Sequence, residues 1–582
     1  MPKTYGPDYP SVESRDLREL VHESARRWEA KPAYLVRRRP GEPETPRSFR
    51  RFSDDVDALG TALVTELGLS GAFVAVLGEN RYEWMVAYLA AVGGTGVVVP
   101  IDKELPVHEA ALLLERCGAT ALIHSGRLSS AVAALRARVP GVSHCIDMDA
   151  EAHAPDGSFL SMSALIAAGH ARIAAGDRSF LDAPIDREAL AVLLFTSGTT
   201  SASKAVMLSH RNLCANIRMI QGAIAFGEED LDLSILPLHH TYEATMLLSL
   251  LSKGATTAFC DGLRYIAQNL REYRPTVLTL VPLIIENLHK KIQDGIRARP
   301  AARVLLPGLV AGGAALAAVG VDVRKKLFAS LHEPLGGRIR VVISGAAALD
   351  PKVWKSLLGY GFRIRQGYGM TEASPVIANE RDRLFRKGTV GVLLPGMAGR
   401  IADPDPDSGI GEIWVQGDNV MMGYFQDPVA TAATLQDGWL RTGDLGRFDD
   451  DGFLTITGRC KNVIVTKNGK NIYPEELESL LVRSPFIKEC LVVGDQPEDG
   501  TEAEDGCRVV AIIVPDLDAL RAVSHDGATP EGEALKTLLR GEIRRVNQQV
   551  PSYKRIVDLR IRDEEFEKTT TKKIKRFKLF PL

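Results

Sequence analysis

Hydrophobic and polar positions come in alternating blocks along the first 400 residues. "GAFVAVLGEN" (Gly71–Asn80) is an apolar run closed by polar residues, which predicts a strand running into a loop. "RYEWMVAYLAAVGG" (Arg81–Gly94) sets its apolar positions on one helical face and ends in glycine, which predicts a helix with a glycine stop. "GVVVPID" (Gly96–Asp102) predicts the next strand, and the pattern returns at Ala119–Ser125, Thr276–Pro282 and Ile339–Ala347. Val- and Ile-rich strands separated by helices predict α/β layers with largely parallel sheets.

The pattern changes near Thr389. "GEIWVQGDNVMMGYF", "GWLRTGDLGRF" and "DDDGFLTITGR" are short strand-like runs broken by Gly and Asp, with a hairpin turn signal at Asp451-Gly452. They predict a small β-rich subdomain over about 389–459, which completes an N-terminal domain of residues 1–459. "NIYPEELESLLVRS" and "CRVVAIIVPD" then predict a separate α+β domain over 460–582. The longest weakly apolar run, "LVAGGAALAAVGV" (Leu309–Val321), is too short to span a bilayer and predicts a buried or loosely packed helix. "EATMLLSLLSK" (Glu243–Lys253) predicts a core helix, one face of which is also a candidate pocket wall.

Charge and cysteine usage narrow the class. Lys and Arg total 71 against 73 Asp and Glu, a formal net charge of -2, which argues against a dedicated nucleic-acid binder. The seven cysteines are irregularly spaced with no CxxC pair, so free thiols in a reducing cytosol are expected rather than disulfides or a zinc site. "MPKTYGPDYPSVESRD" lacks the apolar core of a signal peptide, so a cytoplasmic protein is expected, with at most peripheral membrane contact. The tail "KKIKRFKLFPL" could rest on anionic lipid; a solvated basic end is the simpler reading.

Four stretches carry candidate chemistry. "TSGTTSASK" (Thr196–Lys204) is not a Walker A loop, because Ser203 stands before the lysine where glycine is required. Its hydroxyls (Thr196, Ser197, Thr199, Thr200, Ser201), its backbone N–H groups around Gly198 and its Lys204 can still hold phosphate. A polar surface loop explains the composition equally well. "RQGYGMTEASP" places Tyr368, Gly369, Thr371 and Glu372 in one turn: a ring for stacking, a hydroxyl for phosphate and a carboxylate for Mg²⁺. A tight loop with a satisfied carboxylate is its plainer reading. "GWLRTGDLG" offers Asp444 to a ribose diol, and "EKTTTKKIKR" places lysines near the chain end. His239 and His240 are adjacent and point in different directions, which speaks against one shared metal ion.

Together, and in this order, these stretches resemble the motifs of the adenylate-forming superfamily of acyl-CoA synthetases, adenylation domains and luciferases. "YGMTE", "GDLG" and "GRCKNVI" match without departure, and "LPLHHTYEATMLL" and "TLVPLIIENLHKKI" are most similar to the long-chain fatty-acid ligases. The phosphate loop departs from the family pattern TSGTTGxPKG: Ser201 replaces Gly, Ser203 replaces Pro and Ala205 replaces Gly. Lys572 stands where the family has Gly before its catalytic lysine, and spacing to "IKR" selects Lys573.

The resemblance implies a large α/β N-terminal domain with a β-rich subdomain and a mobile α+β C-terminal lid. It implies ATP-dependent, AMP-forming activation of a fatty acid and thioester formation with CoA. Thr196, Ser197, Gly198, Thr199, Thr200 and Lys204 would hold the β- and γ-phosphates, Thr371 the α-phosphate and Glu372 the Mg²⁺. Gly345, Ala346 and Ala347, with Tyr368 and Gly369, would frame adenine; Asp444 and Arg459 would fix the ribose. Lys461 would be the hinge, Lys467 and Gly469 would face CoA, and Lys573 would neutralise charge at the α-phosphate. His240 would lie near the acyl carboxylate, a structural histidine being the equal alternative. No carrier-protein serine motif follows, so a stand-alone enzyme is expected. Two other readings stay open: an acyl-AMP ligase feeding an acyl carrier protein, and a nucleotide- or acyl-binding protein without catalysis.

Overall fold

The computed structural model describes residues 1–196, 203–298, 300–465, 471–495, 508–523, 528–568, 574 and 576. They gather into two compact units. The larger comprises Lys3–Ala398 and Gln416–Leu440; the smaller comprises Met1–Pro2, Gly399–Val415 and Arg441–Leu582. The strands of Gly399–Val415 and Arg441–Arg459, read from sequence as part of the N-terminal domain, thus gather with the C-terminal segment.

Two sheets build the larger unit. In an eight-stranded sheet, Ala72–Leu77 lies between Gly96–Ile101 and Ala121–His124, all parallel, as the alternating pattern predicts. Its edge reverses direction at Leu190–Thr196, which pairs antiparallel with Lys204–Ser209, followed by the two-residue strand Gly423–Tyr424. A nine-stranded sheet carries Thr256–Phe259, Leu231–Ser234, Val277–Leu280, Val341–Ser344 and Ile364–Gly369 as parallel neighbours in that order. Val277–Leu280 and Val341–Ser344 are buried along their whole length, and for that reason they read as nearly continuous aliphatic runs. The helix predicted over Arg81–Gly94 runs from Tyr82 to Ala90 and widens into a π turn over Ala91–Thr95, where Gly94 adopts φ 143°. The helix Thr241–Leu251 is core: every residue but Tyr242 is buried.

One expectation is corrected. The apolar run Leu309–Val321 does fall on a helix, Pro300–Ala318, but Leu309, Leu316, Val319 and Val321 are exposed rather than buried. An apolar run reads as core when only composition is visible; among the described residues nothing covers its outer face.

The strands Trp439–Phe448 and Leu454–Arg459, which lie in the smaller unit from Arg441 onward, form the expected hairpin, with Gly452 at φ 79° in the turn. The C-terminal segment packs Pro474–Leu481 and Gly532–Asn547 on a three-stranded sheet, Ile487–Asp495, Arg508–Pro515 and Asp558–Ile561. The six described cysteines are free thiols. No described helix is long and apolar enough to cross a membrane.

Candidate active site

The two ends of the hydroxyl-rich loop are held together by the sheet. Thr196 pairs with Lys204 across the antiparallel ladder, and its hydroxyl donates to the Lys204 carbonyl at 3.3 Å. Ser197, Gly198, Thr199, Thr200 and Ser201 lie outside the described residues. At the exit, Arg116 donates to the Ser203 carbonyl at 2.5 Å.

Lys204 then meets a residue that the sequence reading passed over. Its Nζ lies 4.2 Å from the centre of the Tyr424 ring, within cation–π range. Tyr424 is placed by backbone pairing: Phe425 N–H donates to the Ala205 carbonyl and Met422 N–H to that of Met207. Its hydroxyl donates to Glu372 Oε1 at 2.9 Å. Burial, reinforced by the Glu372 charge, raises the Tyr424 pKa, so the phenol stays a donor. One tyrosine thereby joins the lysine of one candidate stretch to the carboxylate of another.

Glu372 sits in a single 3-10 turn, Thr371–Ala373, and is buried while Thr371 is half-buried. Three asparagines position this turn. Asn419 donates to the carbonyls of Ala373 and Val376, Asn216 exchanges two hydrogen bonds with the Val376 backbone, and Asn212 holds the carbonyls of Asp418 and Val420. Gly369 is dictated by space, since a Cβ there would lie 2.0 Å from the Pro375 carbonyl oxygen. Tyr368 is half-buried beside it, paired with Ala378.

Gly345, Ala346 and Ala347 leave the strand Val341–Ser344 at its carboxyl end, where parallel sheets place ligands. Gly345 admits no side chain, because a Cβ would come 2.7 Å from the Tyr242 ring. Ala346 is at φ 72°, a left-handed conformation that favours glycine. The same unit holds the histidine pair. Asn80 fixes the approach to it by donating to Ser234 Oγ and the Leu236 carbonyl and accepting from Leu238 N–H. The His239 and His240 rings have centres 4.2 Å apart and are tilted by 50° to one another. His239 faces Asp102 at 3.6 Å, and burial with the nearby Lys103 charge pushes it down to about 4. His240 precedes the first turn of the helix Thr241–Leu251. On that helix, burial and the nearby Asp232 charge hold the Glu243 carboxyl above its usual range, burial and the Asp230 charge do the same for Asp232, and Glu243 accepts from Ser234 Oγ at 2.7 Å.

In the smaller unit, the hairpin brings Asp444 and Arg459 together. They are register partners, and Arg459 Nε lies 2.8 Å from Asp444 Oδ1. Glu412 steadies the turn before Asp444 by accepting from Gly443 N–H and from Arg441. Lys461 is exposed in a 3-10 turn directly after Arg459. Lys467, Gly469, Lys572 and Lys573 lie outside the described residues. Beside Lys573, Ile574 bridges to Lys568, and Arg576 is paired with Glu478 on the helix Pro474–Leu481.

Among the described residues no group of three or more His, Cys, Asp or Glu could hold a metal ion by itself. Glu372 offers one buried carboxylate, which suits Mg²⁺ carried on ATP, since that ion takes one or two carboxylates and completes its shell with phosphate and water.

Two family descriptions match this chain: AMP-binding enzyme over residues 21–425, and AMP-binding enzyme C-terminal domain over 461–580. The long-chain-fatty-acid–CoA ligase FadD15 of Mycobacterium bovis is 29% identical over 76% of this chain and 74% of its own length. Human long-chain-fatty-acid–CoA ligase 1 is 28% identical over 84% of this chain and 72% of its own length. Among solved structures, ATP-bound MatB from Rhodopseudomonas palustris superposes with a TM-score of 0.72 at 25% identity, covering 96% of this chain and 98% of that one. The adenylation domain of a carboxylate reductase from Mycobacterium chelonae shares the fold, with a TM-score of 0.76 at 20% identity over 98% of this chain and 90% of that one.

Proposed function

Because this chain belongs to the family of AMP-binding enzymes, we propose that it activates a long-chain fatty acid with ATP and passes the acyl group to the thiol of CoA. The observation that carries this reading is the connection Lys204–Tyr424–Glu372, which joins the candidate phosphate loop to a single buried carboxylate. The similarity to long-chain-fatty-acid–CoA ligases of bacteria and mammals supports the substrate class.

A carboxylate is a poor acyl donor because its leaving group would be oxide. In the first step a carboxylate oxygen attacks the α-phosphorus of ATP, the bond to the β-phosphate oxygen breaks, and pyrophosphate departs. Placement and charge stabilisation dominate such a reaction. Thr196, Ser197, Gly198, Thr199, Thr200 and Lys204 bind the departing phosphates, and Thr371 donates to the α-phosphate. Glu372 would hold Mg²⁺, which would supply positive charge to the polyphosphate. Asp444 accepts from the ribose hydroxyls with Arg459 holding its carboxylate in place, and Lys573 stabilises the α-phosphate charge. In the second step the CoA sulfur attacks the acyl carbon, AMP leaves with the bonding electron pair, and the thiol proton passes to solvent. Residues 460–582 are assigned as the lid that carries Lys573, Lys467 and Gly469, with Lys461 at its hinge.

The test is AMP release from ATP, Mg²⁺ and palmitate with and without CoA. AMP release that requires CoA, and a K573A variant that loses adenylate formation, are the expected results. Pyrophosphate exchange without CoA turnover moves the acceptor to a carrier-protein thiol. Silence with medium-chain, long-chain and aryl acids alike refutes adenylation and leaves a binding protein.

A further inference from the structure

We propose that the outward face of the helix Pro300–Ala318 docks this protein on the surface of an anionic lipid bilayer. The 18 residues Val304–Val321 contain only Val, Leu, Pro, Gly and Ala, with no charged or polar side chain. A surface helix ordinarily buries one apolar stripe and shows water a polar one. This helix has two apolar stripes. Leu306, Val310, Gly313 and Ala317 face the protein; Leu306 and Val310 pack on the core, and Gly313 admits the Arg324 and Leu327 side chains. Leu305, Leu309 and Leu316 form a second stripe at helical spacing, exposed by 61%, 39% and 44%, with Val304 at 79% beside them. Val319 and Val321 extend it past the helix end, at 74% and 52%.

The charge around this stripe selects the occupant. Residues 290–340 hold ten Lys and Arg against three Asp and Glu, a formal charge of +7 in a chain whose total is -2. Lys290, Lys291 and Arg297 are exposed on the preceding helix, Lys326 just beyond, and Lys352 and Lys355 on the adjacent helix Pro351–Gly359. Two of the three acids pair locally, Asp294 with Arg297 and Asp322 with Arg324. An apolar stripe framed by cations matches the boundary between acyl chains and anionic headgroups. A symmetric second copy would set this basic surface against itself. A protein partner would be expected to meet aromatic anchors or hydrogen-bonding groups on the stripe, and it has neither. Since no described helix can cross a membrane, this one lies in the plane of the interface, along about 28 Å of its axis.

The experiment is sedimentation of the full chain with extruded vesicles of phosphatidylcholine alone or with a quarter phosphatidylglycerol, at about 0.1 M salt. It contains no ATP, CoA or fatty acid, so its outcome is separate from that of the proposed activity. The wild type is expected to partition at least tenfold more strongly onto the anionic vesicles. L305D/L309D/L316D should abolish this binding with an unchanged melting temperature, and K290Q/K291Q/K326Q should lose only the preference for anionic lipid. Equal binding by wild type and L305D/L309D/L316D, or no binding by either, overturns the proposal. Self-association without vesicles that the aspartate variant abolishes assigns the face to a second copy and overturns it equally.

Discussion

Replacing Tyr424 by Phe tests the link on which the candidate active site turns. The ring and its backbone pairing remain, and with them the contact to Lys204; only the hydroxyl that donates to Glu372 is lost. Glu372 is buried, so water replaces the lost donor poorly. A hydrogen bond to a charged group contributes about 1.5–3 kcal/mol. If that energy holds the carboxylate where the nucleotide complex needs it, kcat/KM for adenylation falls about 10- to 150-fold. The assay is ATP–pyrophosphate exchange with palmitate across a Mg²⁺ titration. Y424F should require more Mg²⁺ as well as react more slowly. E372Q should move both quantities in the same direction, and the double variant should be little worse than E372Q alone, because the two residues act through one interaction. Exchange by Y424F within twofold of wild type, at an unchanged Mg²⁺ requirement, would refute the coupling.

Three further predictions rest on single features. A346G should raise stability by about 0.5–1 kcal/mol in urea unfolding, because Ala346 occupies a left-handed conformation at φ 72° and glycine removes the strain at some cost in chain entropy; a loss of stability refutes it. D444N should raise KM for ATP about tenfold with a smaller effect on kcat, since it removes the charge that Arg459 Nε meets at 2.8 Å, and an unchanged KM removes Asp444 from the nucleotide site. His210 accepts from Leu17 N–H at Nδ1 and lies 3.2 Å from the Val92 carbonyl through Nε2, so it is neutral, and burial pushes its pKa down to about 4. Between that value and the usual 6.5 the unfolded chain binds more protons, so His210 contributes stability that is full above about pH 6.5 and falls by up to about 3 kcal/mol as pH drops toward 4. H210Q should flatten that slope in pH-dependent urea unfolding, and identical slopes in both proteins refute the assignment.

The α/β alternation was legible because buried parallel strands are short, aliphatic and bounded by polar residues, and Val74–Leu77, Val98–Ile101 and Val341–Ser344 obey that rule. Asp444 and Arg459 were legible one at a time, through the stretches that contain them; the hairpin that makes them partners was signalled independently by Asp451-Gly452. Tyr424 was not legible. It stands 52 residues from Glu372, inside "GDNVMMGYF", and only the two-residue strand Gly423–Tyr424 brings it to the sheet edge. Asn80, Asn212, Asn216 and Asn419 were missed for a related reason: an asparagine that ties loops together has no periodicity and gains its partners from the tertiary fold. The helix Pro300–Ala318 failed in the opposite sense, because burial depends on what packs against a face rather than on the face itself.

The histidine pair allows the two readings of His240 to be separated. The rings lie close together, tilted by 50°, yet their surroundings differ. The His239 side chain is 9% exposed, faces Asp102 and is kept neutral by that burial, so its ring acts as packing volume. Truncating it to alanine removes those contacts and should cost about 2–4 kcal/mol of stability. His240 is only half-buried, and its backbone N–H donates to the Pro237 carbonyl, a bond that alanine keeps. H240A should therefore lower stability by less than about 1 kcal/mol, as a partly exposed truncation does. If its ring faces the acyl carboxylate, H240A raises KM for palmitate or lowers kcat at least tenfold while KM for ATP stays near the wild-type value. Thermal melting and initial-rate kinetics on H239A and H240A decide the matter together. A large loss of stability in H240A with kinetics otherwise intact makes it a structural histidine, and the acyl carboxylate must then be placed by other groups around Gly345 and Tyr242.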